Sequence, residues 1–199
     1  MNQSIRLALP SDSEAILEIY QPYVLDAAVC AETEVPEIGA FTARIAAIAG
    51  RYPFLVYEAD GEIVGYTYAS RHRERAGYLY DAEVSIYLRP AYHGTGIAYK
   101  LYGCLLDILA KLGYRNVYAG YAGSNEKSMN FHRKIGFSIV GTYHKAVHKF
   151  GQWFDVIWLE KAINEYSAEP GAIKAIGELP AQFLDDLFRA YAENPTERK

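Results

Sequence analysis

Cysteine is scarce in this chain of 199 residues: Cys30 and Cys104 are the only two, and neither has metal-ligand spacing or a partner nearby. That excludes a disulfide-stapled scaffold and a cysteine-built metal site, and a reduced, cytoplasmic setting is expected. Long hydrophobic runs are missing too. No stretch is long enough to span a bilayer, and Met1-Asn-Gln-Ser-Ile-Arg-Leu7 lacks the apolar core of a signal peptide. No membrane partner is expected. Basic excess is absent: 20 Lys and Arg face 24 Asp and Glu, net −4, which argues against a nucleic-acid partner or an anionic membrane surface.

What is present is enough apolar material for a sizeable core, 51% of residues, with 18 tyrosines for amphipathic packing or half-polar pocket walls. The pattern predicts a strand over Ile5–Leu9. A helix follows, opened by the capping-box spacing Ser11-Asp-Ser-Glu14 and carrying Ala15, Ile16, Ile19 and Tyr20 on one face. After an irregular loop over 28–39 comes a helix over about 40–49. Asp60-Gly61 then joins strands Phe54–Ala59 and Ile63–Ala69 as a hairpin. A charged loop, Arg71–Arg75, leads to a long strand, Tyr78–Leu88. Then come a helix ending at Gly113, a strand Val117–Ala122, a helix Ser124–Ile135 and strands Phe137–Lys145 and Trp153–Leu159. The order β-α-α-β-β-β-α-β-α-β-β predicts an α/β (α+β) domain over 1–163. Residues 164–199 read as a break at Ser167–Gly171 followed by an amphipathic helix whose face holds Phe183, Leu184, Leu187, Phe188 and Tyr191. That face docks on its own domain by default, or on a partner subunit.

The chemistry centres on Leu88-Arg-Pro-Ala-Tyr-His-Gly-Thr-Gly-Ile-Ala98, between a strand and a long helix. Gly94 and Gly96 place several backbone N–H groups at the positive end of a helix dipole, a site for phosphate. The Lys-Ser/Thr that follows the glycines of a P-loop is absent, so nucleotide hydrolysis fits poorly.

The order of elements, the Gly94-Thr-Gly96 turn and Asn125-Glu-Lys-Ser-Met-Asn-Phe-His132-Arg-Lys-Ile-Gly-Phe137 resemble the GCN5-related N-acetyltransferase (GNAT) superfamily over about residues 4–162. Tyr78–Glu83, Ser85-Ile-Tyr-Leu88 and Phe150-Gly-Gln-Trp-Phe-Asp-Val156 resemble its phosphinothricin acetyltransferase branch. The resemblance implies a mixed, mostly antiparallel sheet flanked by helices, here with a C-terminal helical extension. It also implies acetyl-CoA as co-substrate, no metal, a homodimer, and direct transfer to the amine of a small amino-acid-like acceptor. Three positions depart from the superfamily's pattern. His93 stands where Arg or Gln is usual, Ala98 where Gly is common, and Ala31 where the branch has a pocket aromatic.

On this reading the N–H groups of His93, Gly94, Thr95, Gly96, Ile97 and Ala98, with Tyr99, hold the CoA pyrophosphate. Ile86, Tyr87 and Leu88 meet the pantetheine arm, through the exposed backbone of Ile86 and Leu88. Asn125 and Ser128 open a helix and also contact CoA. Glu83, a partly buried carboxylate ahead of the apolar run of its strand, is the base. His132, where the superfamily often has tyrosine, protonates the thiolate, with Tyr80 and Tyr121 as alternative hydroxyls. Arg73 and Arg75 grip the acceptor's carboxylate or phosphinate, with Glu32 and Tyr78 lining the pocket. Rival readings are the same fold acting on a protein N-terminus or a polyamine, and a non-catalytic acyl-CoA-binding module that has no need of Glu83.

Overall fold

A computed structural model describes residues 2–123 and 125–193. Ser124 and the 194–199 end of the expected extension lie outside the described residues. The chain forms β1 (Gln3–Leu7), α1 (Ser13–Leu25), α2 (Ile38–Ala49), β2 (Phe54–Ala59), β3 (Glu62–Arg71), β4 (Asp81–Leu88), α3 (Ile97–Leu112), β5 (Asn116–Ala122), α4 (Glu126–Lys134), β6 (Ser138–Lys149), β7 (Gln152–Ala162) and α5 (Ala181–Glu193). One sheet of seven strands runs in the order β1-β2-β3-β4-β5-β7-β6, with β4 and β5 its parallel pair. The predicted mixed, mostly antiparallel sheet flanked by helices is therefore present.

Each sheet face has its own core. On one, α3 buries Leu101, Leu105, Ile108 and Leu109 against Leu55, Val64, Val84 and Val117. On the other, α1 and α2 bury Ile16, Ile19, Phe41 and Ile45 against Phe54, Val56 and Tyr66. Helical periodicity supplies the first partner of each pair and strand alternation the second. Cys104 is a fully buried member of α3.

Two local readings are corrected. The capping box at Ser11–Glu14 does not form, because the Asp12 carboxylate accepts from the Leu9 N–H at 2.7 Å and from both terminal nitrogens of Arg6 at 2.6 and 3.0 Å. The ion pair with β1 holds Asp12 and makes it the residue before α1, which starts at Ser13. Strand β4 starts at Asp81, not Tyr78, since Ala76–Tyr78 coil into one 3₁₀ turn.

The C-terminal extension belongs to the same body. Helix α5 packs on β1 and α3 with Leu184, Phe188 and Ala192 buried, and Tyr191 donates to Asp107 at 2.7 Å. Burial of Leu184 and Phe188 contributes about 1.5–3 kcal/mol each. The stretch before it is tied down: Asn164 donates to the carbonyls of Ala110 and Tyr114, and the Lys174 N–H donates to that of Leu112. Lys149 fastens the other end of the molecule. Its buried ammonium donates to the carbonyls of Ala27 at 2.8 Å, Cys30 at 3.3 Å and Tyr23 at 3.4 Å, which pins the end of α1 and the loop carrying Glu32 to β6.

Candidate active site

Strands β4 and β5 pair only from Asp81↔Asn116 to Glu83↔Tyr118. Beyond that point β4 stays with β3 while β5 stays with β7, so the sheet forks. The Arg89 N–H donates to the Val64 carbonyl on β3. Strand alternation then turns the backbone groups of Leu88 and Ile86 away from β3, into the fork. The Tyr23 hydroxyl meets those of Leu88 there, accepting from its N–H at 3.4 Å. It donates to the Leu88 carbonyl at 2.6 Å and lies 2.9 Å from His93 Nε2.

The fork opens on a cavity of about 1510 Å³ whose walls include Ile86, Leu88, Gly94, Gly96, Asn125 and Ser128, with Leu187 and Tyr191 of α5. At the end of the cavity next to α3, Gly94 and Gly96 have φ of +79° and +89°. Gly96 is the residue before α3 and has no side chain to cap it, so the helix N-terminus stays open. Not every predicted N–H is available. Those of His93, Thr95 and Tyr99 bond within the turn, to Pro90, Tyr92 and Gly96 carbonyls, and Thr95 Oγ1 also turns back to Tyr92. Those of Gly94, Gly96, Ile97 and Ala98 have no acceptor among the described residues, and the buried Ile97 has only its backbone to offer. This cradle fits a diphosphate. At α4 the cap is a side chain: Asn125 Oδ1 accepts from the Ser128 N–H at 3.0 Å, fixing both residues at the cavity wall.

Glu83 stands at the crotch of the fork with about a third of its side chain exposed. Burial pushes its carboxyl above the usual value, and Arg73 partly offsets this. Arg73 stacks over Tyr78 and reaches the Tyr143 hydroxyl at 3.3 Å. Arg75 lies exposed at the 3₁₀ turn, bonded to none of these groups. Glu32 pairs with Arg44 of α2 at 2.6 Å, and its other oxygen is enclosed without a partner. The charges of Glu83, Arg44 and Glu32 are all felt by the Tyr68 phenol of β3.

Two expected roles are corrected. His132 is buried among Tyr102, Phe131 and Phe137, away from the cavity wall. Its Nδ1 lies 2.8 Å from the Ser128 carbonyl, which only accepts, so Nδ1 carries the hydrogen and Nε2 accepts from Tyr102 at 3.2 Å. Burial also holds its pKa below the usual value, against the opposing bond to the Ser128 carbonyl. Tyr87 turns its backbone to β3 and its ring into a cluster with Tyr20, Tyr23 and Tyr66, so it faces away from the donor cavity. Of the alternative hydroxyls, Tyr80 bonds to the Pro170 carbonyl at 3.4 Å, whereas that of Tyr121 is buried with no partner among the described residues. Composition and spacing did not point to Arg44, Tyr118 or Trp158, which reach the site only through strand and helix pairing. Gly120 is the one local sign of Trp158: a Cβ there would meet the indole at 3.2 Å.

A forked parallel pair, an uncapped helix N-terminus at its mouth and a carboxylate of raised pKa at its base define an acyl-CoA-type N-acyltransferase site. The family model for the acetyltransferase (GNAT) domain matches residues 5–158, and the chain belongs to that family and is an N-acetyltransferase. It is 31% identical to the phosphinothricin N-acetyltransferase of Streptomyces coelicolor over 80% of this chain and 95% of that one. It is also 31% identical to the L-methionine sulfoximine/L-methionine sulfone acetyltransferase of Salmonella typhimurium, over 83% and 97%. The crystal structure of a phosphinothricin acetyltransferase from Sinorhizobium meliloti in complex with AcCoA superposes with a TM-score of 0.81 at 32% identity, covering 86% of this chain and 94% of that one. Helix α5 lies beyond the family match.

Proposed function

We propose that this enzyme acetylates the amine of a small amino-acid-like acceptor with acetyl-CoA, in one direct transfer. The observation that carries the reading is Glu83: a largely enclosed carboxylate of raised pKa where β4 and β5 part, within reach of the Arg73 charge. Acetyl-CoA supplies an activated thioester. The N–H groups of Gly94, Gly96, Ile97 and Ala98 hold its diphosphate, and Ile86 offers backbone partners to its amide arm, with those of Leu88 shared with the Tyr23 hydroxyl. Glu83 takes a proton from the acceptor's ammonium, directly or through water. A β4 N–H steadies charge on the thioester oxygen, and the leaving sulfur takes up the amine's remaining proton. Cys30 and Cys104 are both buried, and burial pushes the Cys104 thiol up, so a covalent acyl-cysteine step has no support.

For the acceptor, Arg73 and the enclosed Glu32 oxygen offer one group for a carboxylate or phosphinate and one for an ammonium. A polyamine would face Arg73 and Arg44 as like charges, which disfavours it. The relatives named for phosphinothricin and methionine sulfoximine support the same class. The test is a thiol-release assay with methionine sulfoximine, phosphinothricin, free amino acids, a peptide N-terminus and spermidine. Turnover with the first group supports the reading, and turnover confined to spermidine or the peptide overturns it.

We further infer a cytoplasmic homodimer. Edge strand β6 exposes Ile139, Val140 and Tyr143, and Trp153 of β7 is 61% exposed, an apolar strip that a second copy would cover. Light scattering tests it: Val140→Asp with Trp153→Ser should yield monomers. No helix among the described residues is long and apolar enough to cross a membrane, and both cysteines are free thiols, which supports a reducing compartment.

A further inference from the structure

His72, just past the end of β3, is a titratable group whose side chain is only 9% exposed and which the steps above do not use. Its ring is clamped on three sides. It stacks on Tyr118 of β5 with centroids 4.2 Å apart and planes 14° apart, and it meets Trp158 of β7 and Tyr78 edge-on at 5.8 and 6.3 Å. The clamp aims Nδ1 at the Glu83 carboxylate, 3.9 Å away. That nitrogen is enclosed and has no hydrogen-bond partner among the described residues. An enclosed polar atom without a partner is costly, so packing alone does not explain a histidine here; phenylalanine would fill the clamp without the cost.

We propose that His72 and Glu83 form one proton-accepting pair, in which His72 is the positioning residue that shares the proton Glu83 takes from the acceptor. The proposal rests on Glu83 being the base. His72 is held by its clamp, and a torsion of the more exposed Glu83 side chain closes 3.9 Å to hydrogen-bond length. In the resting pair Glu83 is ionised and His72 neutral, with Nδ1 unprotonated, for a net charge of −1. The ammonium gives one proton to Glu83, which is then held between Oε2 and Nδ1, and the pair becomes neutral. The freed amine forms the amide, its second proton ends on the thiol of CoA, and the pair releases the first to solvent. The surroundings suit sharing: burial moves the carboxyl up and the imidazole down, bringing the two proton affinities together. The other charged or titratable groups facing His72 are Arg73, Asp81, Tyr118 and Tyr78. Arg73 disfavours the imidazolium and Asp81 favours it.

The test is the pH profile of kcat/KM with methionine sulfoximine and acetyl-CoA for wild type, His72→Phe, His72→Gln and Glu83→Gln. Phe keeps the stack on Tyr118, and Gln keeps a polar atom that cannot take up a proton. Sharing strengthens the base, so both His72 variants should move the acidic limb to lower pH by about one unit and lower the plateau roughly tenfold, with acetyl-CoA affinity unchanged. A limb that stays in place or moves up in His72→Phe, or a wild-type profile in His72→Gln, overturns the pair. Full activity in Glu83→Gln overturns the base itself, a separate failure. If His72→Phe proves unstable, His72→Gln alone decides.

Discussion

On the proposed function, the donor half and the acceptor half of this site are built from different materials. The donor cradle is main chain: four N–H groups at the start of α3 and the turned-out backbone of Ile86 and Leu88. The acceptor half is side chains drawn from α2, β4, β5, β7 and two loops, namely Arg44, Glu83, Tyr118, Trp158, Glu32, His72 and Arg73. Backbone recognition depends on shape and tolerates almost any residue but a wrong one at a glycine. Side-chain recognition depends on each residue being present and on distant strands holding register. A family of such proteins can therefore keep its donor and change its acceptor, because few residues serve both halves.

The comparison breaks most sharply at Glu83. Glu83→Gln should lower kcat by about 10²–10⁴ while acetyl-CoA binding, measured by calorimetry, stays as in wild type. A matching loss of donor affinity would show that the halves are not separable. Lys149→Met should act on the acceptor half through its frame. Stranding the carbonyls of Ala27, Cys30 and Tyr23 costs about 1–3 kcal/mol, read as a lowered unfolding midpoint, and the KM for the acceptor should rise more than that for acetyl-CoA. On the donor side, Gly96→Val places a branched residue at φ +89°. The strain, about 1–2 kcal/mol, should weaken acetyl-CoA binding roughly five- to thirtyfold and leave the acceptor KM at saturating donor unchanged.

The smallest expected effect is a difference in pH response. Glu83 must be ionised to act and its pKa lies above the ordinary 4.5, so kcat/KM should rise with pH through a midpoint above 4.5. Acetyl-CoA affinity should change little over the same window. Stability runs the other way. The folded state holds the Glu83 proton more tightly than the unfolded chain, so its contribution is full below the unfolded value and lost as pH rises through the folded one. Glu83→Gln should therefore melt above wild type at neutral pH but not at pH values near 4. A variant that melts lower at neutral pH would mean that the carboxylate is stabilised where it stands.

The same division explains what could be read in advance. Asp60-Gly61 marks a hairpin because both residues take positive φ locally, and α3 announces itself through its apolar stripe and Gly113. Asp12 misled because its partner, Arg6, lies on a neighbouring element and outcompetes the local box. His132 misled for a related reason. Its place on α4 was right, but tertiary packing turned the ring onto Tyr102 rather than into the cavity. His72 read as one member of a charged run, Arg71–Arg75, and nothing local distinguishes a solvated histidine from one clamped between Tyr118 and Trp158.

The sequence by itself determined the succession of strands and helices, the glycine turn before α3 and the carboxylate on β4. Each depends on periodicity or on backbone freedom within a few residues. Only the tertiary structure decided where β4 and β5 part, which N–H groups remain free at the turn, and what surrounds Glu83. Those follow from pairing and packing between segments far apart in the chain, where a one-residue change of register would turn every side chain to the opposite face.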